Sequence, residues 1–186
     1  LVSRPVGSWT TMSSDEQQQF KLWRRFESDI RKHMKRAQAF YEKALDENPE
    51  LVEAHLRLGR VLHNQGKDND ALRRFEWIHE NAAESPLLGM AHLFAGRVHE
   101  QEDRIDQALE HYRAAVRAKE DWQLFYLALS HALRRSGDDT ESRKVLEQAL
   151  RLEFDPRNPQ GGLWDYVCKR DAFVSLVEQL RSEVLQ

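Results

Sequence analysis

An internal repeat with a period of 34 to 37 residues constrains the fold of this chain more than any other feature. The eight residues that begin at Ala54 return in similar form at Ala91, and a weaker copy begins at Phe125. A second block lies downstream of each copy and has its small residue at Ala71, Ala108 and Ser142. Repetition at this period is typical of a solenoid, in which each unit buries its apolar face only against its neighbours. The sequence therefore predicts a repeat array.

The pattern within each repeat predicts a pair of helices. Stretches of roughly 14–17 residues with helical periodicity are separated by short polar breakers, and no segment alternates long enough to predict a strand. Only 8 Gly and 5 Pro are present, which is few for an all-β fold with many tight turns. We therefore predict an all-α fold of short antiparallel helix pairs. The breakers are at 66–68, 85–86, 102–103, 137–139 and 155–162.

The N-terminal part differs from the repeats, because no Gly or Pro interrupts residues 14–47. Ser14 and Gln17 fit a capping box, and the apolar stripe that follows keeps its phase. We favour one long helix over two helices with a bend near 28–29. Asn48-Pro49 is predicted to end it, since the residue before proline disfavours helix. Residues 1–14 have no helical period and are predicted to form a flexible leader.

The repeat resembles the tetratricopeptide repeat (TPR) family over residues 37–152. The positions that carry the resemblance are small residues at Gly59, Gly96, Ser130, Ala71, Ala108 and Ser142, and large ones at Tyr41, Phe75, Tyr112 and Leu146. The resemblance implies a right-handed superhelical solenoid of antiparallel helix pairs. It also implies an N-terminal long helix or degenerate first repeat at 15–36, and a connector with a C-terminal capping helix at 153–186. The one offset of 37 predicts a longer turn around 81–86.

No pattern in the sequence indicates catalysis. The chain lacks a Gly-rich phosphate loop, a nucleophile elbow and a His-Glu-x-x-His motif. His92 and His99 share a helix face, and so approximately do His55 and His63, yet ligands on one helix favour spacings of three or four. The lone Cys168 beside Val167 is expected to be buried and inert, and it leaves the redox compartment open. We predict no enzyme activity, no metal site and no cofactor.

The resemblance implies that the first helix of each pair lines a concave groove. A mixed apolar and cationic lining suits a peptide with apolar anchors and a carboxylate, because guanidinium groups bind carboxylates bidentately. The same arginines on a merely solvated face remain the alternative. We predict a non-enzymatic scaffold for a protein or peptide partner, whose groove is lined by Leu56, Arg57, Arg60, His63, Asn64, Met90, Leu93, Phe94, Arg97, Glu100, Leu124, Leu127, His131 and Arg134.

Two other functions stay open. Trp23 and Phe26 lie in the degenerate first hairpin, and if uncovered they would favour a structural module that forms homo-oligomers through the N-terminal helix. The chain could also be an accessory domain of a larger enzyme or complex. A net charge of −3 argues against a nucleic-acid partner, and no apolar run approaches the ~20 residues of a membrane span. The chain begins at Leu1, so we expect that upstream residues are missing, and the localisation is undetermined.

Overall fold

The described part of the chain consists of α-helices. The computed structural model describes residues 13–152 together with Gln179 and Ser182. Between residues 13 and 152 there are seven helices and no strand, which confirms the predicted all-α fold. The helices are α1 (Ser14–Glu47), α2 (Val52–Asn64), α3 (Asp68–Asn81), α4 (Leu88–Gln101), α5 (Ile105–Ala118), α6 (Gln123–Arg135) and α7 (Asp139–Arg151).

The chain divides into two compact units, Leu1–Ala71 and Leu72–Gln186, with the boundary inside α3. In the first unit, α1 packs against α2. In the second unit, α4 packs against α5, α5 against α6, and α6 against α7. Within each unit these helices pack against a neighbour in sequence, as a helical repeat requires.

The long helix α1 confirms the preference for a single uninterrupted helix, and it ends at Asn48 as predicted. Its capping box was predicted one residue too late. Ser13, not Ser14, is the N-cap: its hydroxyl accepts from the amide of Glu16 at 3.3 Å, and the Glu16 carboxylate accepts from the Ser13 amide at 2.7 Å. A charged glutamate interacts more favourably with the positive end of the helix dipole than the neutral Gln17 does.

Three turns join the helices within the repeats, and each has a left-handed residue at its centre. These residues are Gly66, Asp103 and Gly137, with φ of 74°, 58° and 90°, and they lie at the repeat offsets of 37 and 34. Following amides close the turn on the preceding helix: Lys67 donates to the carbonyl of Leu62, and Arg104 to that of His99. This hydrogen-bond pattern ends a helix sharply and reverses the chain.

The turn at 82–87 is the longest between the repeats. It contains six residues, whereas the turns at 48–51 and 119–122 contain four. The expected longer turn around 81–86 is therefore confirmed.

The predicted small residues allow helices to approach closely. A Cβ on Gly96 would lie 2.6 Å from Cε1 of Tyr112, so α4 meets α5 at a distance that only glycine permits. At the next repeat Ser130 and Ser142 are buried and bond to each other, with hydroxyl oxygens 3.1 Å apart. The Ser142 hydroxyl also donates to the carbonyl of Ser130 at 2.8 Å.

The predictions for the two ends of the chain lie almost entirely outside the described residues. These are the flexible leader and the connector with its C-terminal capping helix at 153–186, which includes Cys168. Gln179 and Ser182 are described, and both are helical. Among the described residues, no helix is both long and apolar enough to span a membrane.

Candidate functional site

Four of the six apolar residues of the predicted groove lie in the core. Leu56, Met90, Leu93 and Phe94 are almost completely buried, and the ring of Phe94 lies 6.0 Å from that of Phe75. Their positions on the first helices led us to expect them at the surface of a groove. They instead contribute to packing, because small residues on these helices draw their neighbours close. These side chains are therefore not offered to a partner in this structure.

The polar residues predicted in the first unit make local contacts. Arg57 donates through Nε to Oε1 of Glu53 at 2.6 Å, one turn earlier on α2. Nδ1 of His63 lies 2.7 Å from Oδ1 of Asp68. Arg60 is half-buried and Asn64 is exposed. Two of these predicted groove residues, Arg57 and His63, thus already have an acidic neighbour within the first unit.

In the second unit, a partly buried carboxylate gathers several donors. The Glu100 side chain is 14% exposed, and it accepts from the Tyr112 hydroxyl at 2.7 Å. Nδ1 of His131 lies 2.8 Å from Oε1 of Glu100, and Nη1 of Arg135 lies 3.3 Å from the same oxygen. Burial and the adjacent Glu100 carboxylate raise the pKa of Tyr112, so this hydroxyl stays protonated and donates. Glu100 on α4 therefore holds side chains from two other helices, α5 and α6.

We call Arg97, His131, Arg134 and Arg135 the basic cluster. Arg97 lies one turn before Glu100 on α4, and Arg134 lies one turn after His131 on α6. Arg135 also pairs with Asp103, at 2.8 Å. Arg97 and Arg134 are exposed, and the described residues show no ion pair for either. The cluster therefore has three exposed arginines, of which Arg135 pairs with two carboxylates, Glu100 and Asp103. The contribution of Arg135 was not predicted from the sequence.

The same face of α6 carries two half-buried leucines. Leu124, Leu127, His131 and Arg134 lie within a sector of about 80° on a regular helix. Apolar side chains thus occupy the first half of this face and basic ones the second half. The role of these four residues in binding stays a prediction.

Four of the eight histidines lie between residues 79 and 111, on three helices. We call His79, His92 and His111 the histidine cluster. His79 and His92 stack with ring centroids 3.9 Å apart, and the Nδ1 atoms of His92 and His111 are 3.2 Å apart. His99 stacks on His111 with centroids 5.2 Å apart. The sequence prediction missed this cluster because it considered spacings along one helix. The concentration of histidines between 79 and 111 was the available signal.

These imidazoles are neutral at pH 7. Burial, reinforced by the nearby His111, lowers the pKa of His79 to about 4. Burial, with the adjacent His79 and His111 adding to it, lowers the pKa of His92 to about 3. Burial also lowers the pKa of His111. Desolvation disfavours the charged form, so each ring keeps one nitrogen free of a proton.

An exposed apolar stripe runs along α1 in the first unit. We call Leu22, Phe26, Ile30 and Phe40 the α1 stripe; they lie within a sector of about 80° on a regular helix. Phe26 is 55% exposed and Phe40 is 68% exposed. Trp23 is half-buried beside Phe20, with ring centroids 6.0 Å apart. Of the two aromatic residues that the sequence placed in the degenerate first hairpin, Phe26 is the more exposed.

Comparison with known proteins agrees with the repeat geometry. Three family models described as Tetratricopeptide repeat match residues 31–92, 65–123 and 126–160. A search of curated proteins finds no match. With its helix pairs, its close contacts at small residues and these matches, the chain belongs to the tetratricopeptide repeat family.

Solved structures share this fold. The crystal structure of MamA is 17% identical, with a TM-score of 0.56 over 76% of this chain and 75% of that chain. The thermophilic TPR protein TTC0263 of Thermus thermophilus is 23% identical, with a TM-score of 0.52 over 69% of this chain and 70% of that chain. At these identities the likeness shows the fold alone.

Proposed function

We propose that the chain is a non-enzymatic scaffold whose basic cluster binds an acidic or carboxylate-bearing segment of a protein partner. The family and fold support a protein-interaction scaffold. The observation that favours an acidic partner is the presence of two exposed arginines, Arg97 on α4 and Arg134 on α6, for which the described residues show no ion pair, while Glu100 is already satisfied by other donors. Guanidinium groups that lack a partner carboxylate are available to bind one in two-pronged geometry.

Two leucines on the same face of α6 indicate that the ligand carries an apolar residue in addition to its carboxylate. Leu124 and Leu127 are half-buried, and they lie two turns and one turn, respectively, before His131 on the same face of α6. An apolar anchor of the partner would cover them while a carboxylate reaches Arg134. The buried Leu56, Met90, Leu93 and Phe94 have no part in this contact. The proposed ligand thus has an apolar residue a short distance from an acidic one.

Charge reversal of the two exposed arginines tests this proposal. We expect Arg97→Glu/Arg134→Glu to lose partners that the unaltered chain captures from native lysate, because attraction becomes repulsion. Each lost charge-assisted hydrogen bond is worth about 1.5–3 kcal/mol, so binding should fall at least about tenfold. The readout is quantitative mass spectrometry of the captured proteins.

The matched control is Arg113→Glu/Lys119→Glu, which changes the net charge equally at exposed positions of the same unit outside the basic cluster. It should capture the same partners as the unaltered chain. Equal capture by all three proteins would refute the proposed site.

The α1 stripe favours a second candidate, a structural module that associates with copies of itself. Leu22, Phe26, Ile30 and Phe40 span about 27 Å of one helix at 1.5 Å per residue. Apolar residues aligned over such a length are typical of helix pairing, whereas scattered exposed ones need no explanation. This candidate uses the first unit, and the basic cluster lies in the second, so the two functions are separable by mutation.

A further inference from the structure

We propose that His79, His92 and His111 form a binding site for a borderline divalent transition-metal ion, with Zn²⁺ as the representative ion. The three side chains come from α3, α4 and α5, all within the second unit. One nitrogen from each ring lies within 4.8 Å of the others. A site of this kind is assembled across helices, and no single-helix spacing predicts it.

The spacing between the rings suits a tetrahedral ion. Zn–N bonds of about 2.0–2.1 Å at the tetrahedral angle place two ligand nitrogens about 3.3 Å apart. The Nδ1 atoms of His92 and His111 are already 3.2 Å apart. The remaining separations, of up to 4.8 Å, have to shorten, and the ring of His79 has to rotate out of its stack on His92 so that one ion can lie in the plane of both rings.

A second observation is a buried nitrogen with no partner. Nε2 of His79 is inaccessible to solvent, and among the described residues nothing forms a hydrogen bond with it. A buried polar atom without a partner costs about 1–3 kcal/mol. A metal ion bonded to a nitrogen of this ring would supply an interaction that the packed protein does not provide. His92 and His111 satisfy each other in the metal-free arrangement, and a bound ion would replace that contact.

The ligand set selects the kind of ion. Three imidazoles suit Zn²⁺, Ni²⁺ or Cu²⁺, whereas Mg²⁺ and Ca²⁺ require oxygen ligands. A water molecule would complete a tetrahedral shell, as in zinc sites with three protein ligands. His99 stacks on the ring of His111 and is placed to hold that ring, not to bind the ion.

Two charged side chains near the histidine cluster have opposite effects on the binding of a cation. Arg117 acts on His92 and disfavours a cation there, while Glu110 acts on His111 and favours one. Neither side chain belongs to the ligand group. The imidazole nitrogens must therefore supply most of the affinity.

The test is titration of the full chain, free of any histidine affinity tag and stripped of metal, with Zn²⁺ against a chromophoric competitor. We expect one Zn²⁺ per chain, and His79→Gln and His111→Gln should each weaken binding at least about tenfold. His33→Gln, at an exposed position on α1, is the matched control and should bind as the unaltered chain does. His99→Gln should retain binding with a smaller loss.

Cobalt gives a readout that does not depend on how well the variants fold. Co²⁺ bound to the unaltered chain should show the intense visible absorption of a tetrahedral site, and Zn²⁺ should displace it. The proposal is overturned if Co²⁺ gives only the weak spectrum of an octahedral ion. It is equally overturned if folded His79→Gln and His111→Gln bind Zn²⁺ like the unaltered chain, or if His33→Gln weakens binding as much as they do.

Discussion

Gly96 shows how a single residue position fixes the distance between two helices. Its absent side chain leaves room for the ring of Tyr112, whose hydroxyl reaches Glu100 and thereby anchors the basic cluster. The need for a small residue at position 96 is visible in the sequence repeat. The same contact places Tyr112, which holds Glu100 at the proposed site. A change at Gly96 should therefore affect both stability and the position of Glu100.

We predict that Gly96→Ala lowers the free energy of unfolding by about 1–3 kcal/mol, the usual cost of overpacking. In an open helix the same change would stabilise by about 1 kcal/mol, so the sign of the effect is informative. Denaturant unfolding measures it. In a Tyr112→Leu background the cost of the new methyl group should shrink, because the ring it meets is gone. A stabilising Gly96→Ala would show that α4 and α5 lie further apart than described.

The sequence predicted which residues lie at close helix contacts better than it predicted which side chains are buried or lie next to each other. The small residues at Gly96, Ser130 and Ser142 were identified because repeats must approach closely, and the structure places all three in helix contacts. The burial of Leu93 was not foreseen, since the rotation of a helix about its axis depends on its neighbours. The histidine cluster was missed for the same reason: it needs the relative placement of three helices.

Helix α1 carries the two features that separate it from the repeats, its length and its exposed apolar stripe. Periodicity predicted the length because the stripe of small and apolar residues keeps its phase. It could not predict which part of the helix is covered, because that depends on where α2 packs. Leu45 near the end of α1 is buried, whereas Phe26 near its start is exposed.

We predict that Leu22→Glu/Phe26→Glu abolishes any self-association of the chain, since two charges in an apolar contact repel and lose hydration. Multi-angle light scattering across a concentration series should give a multiple of the monomer mass for the unaltered chain and the monomer mass for the variant. Ser28→Glu/Lys35→Gln changes the net charge equally on the opposite side of α1 and should behave as the unaltered chain does. A monomeric unaltered chain at every concentration would contradict self-association through α1.

The net charge of the whole molecule and the charge of one part of its surface favour different kinds of partner. The chain carries −3 overall, yet Arg97, Arg134 and Arg135 are all exposed on α4 and α6 of the second unit. Salt screens charges beyond about 10 Å at 0.1 M, so a ligand at the basic cluster responds to that cluster and not to the sum. The overall charge is the basis for expecting no nucleic-acid partner, but it does not predict whether an acidic peptide binds.

Site-specific cross-linking tests the central claim, that an acidic segment of a partner lies on the basic cluster, most directly. A photoreactive p-benzoylphenylalanine placed at Leu127, on the face of α6 shared with His131 and Arg134, would attach to whatever covers that face. The same group at the exposed Gln107 on α5 is the control. We predict partner adducts from position 127 and not from 107, mapped by mass spectrometry to a segment rich in Asp and Glu. Adducts from 107 alone, or from 127 to segments without acidic residues, would contradict the account.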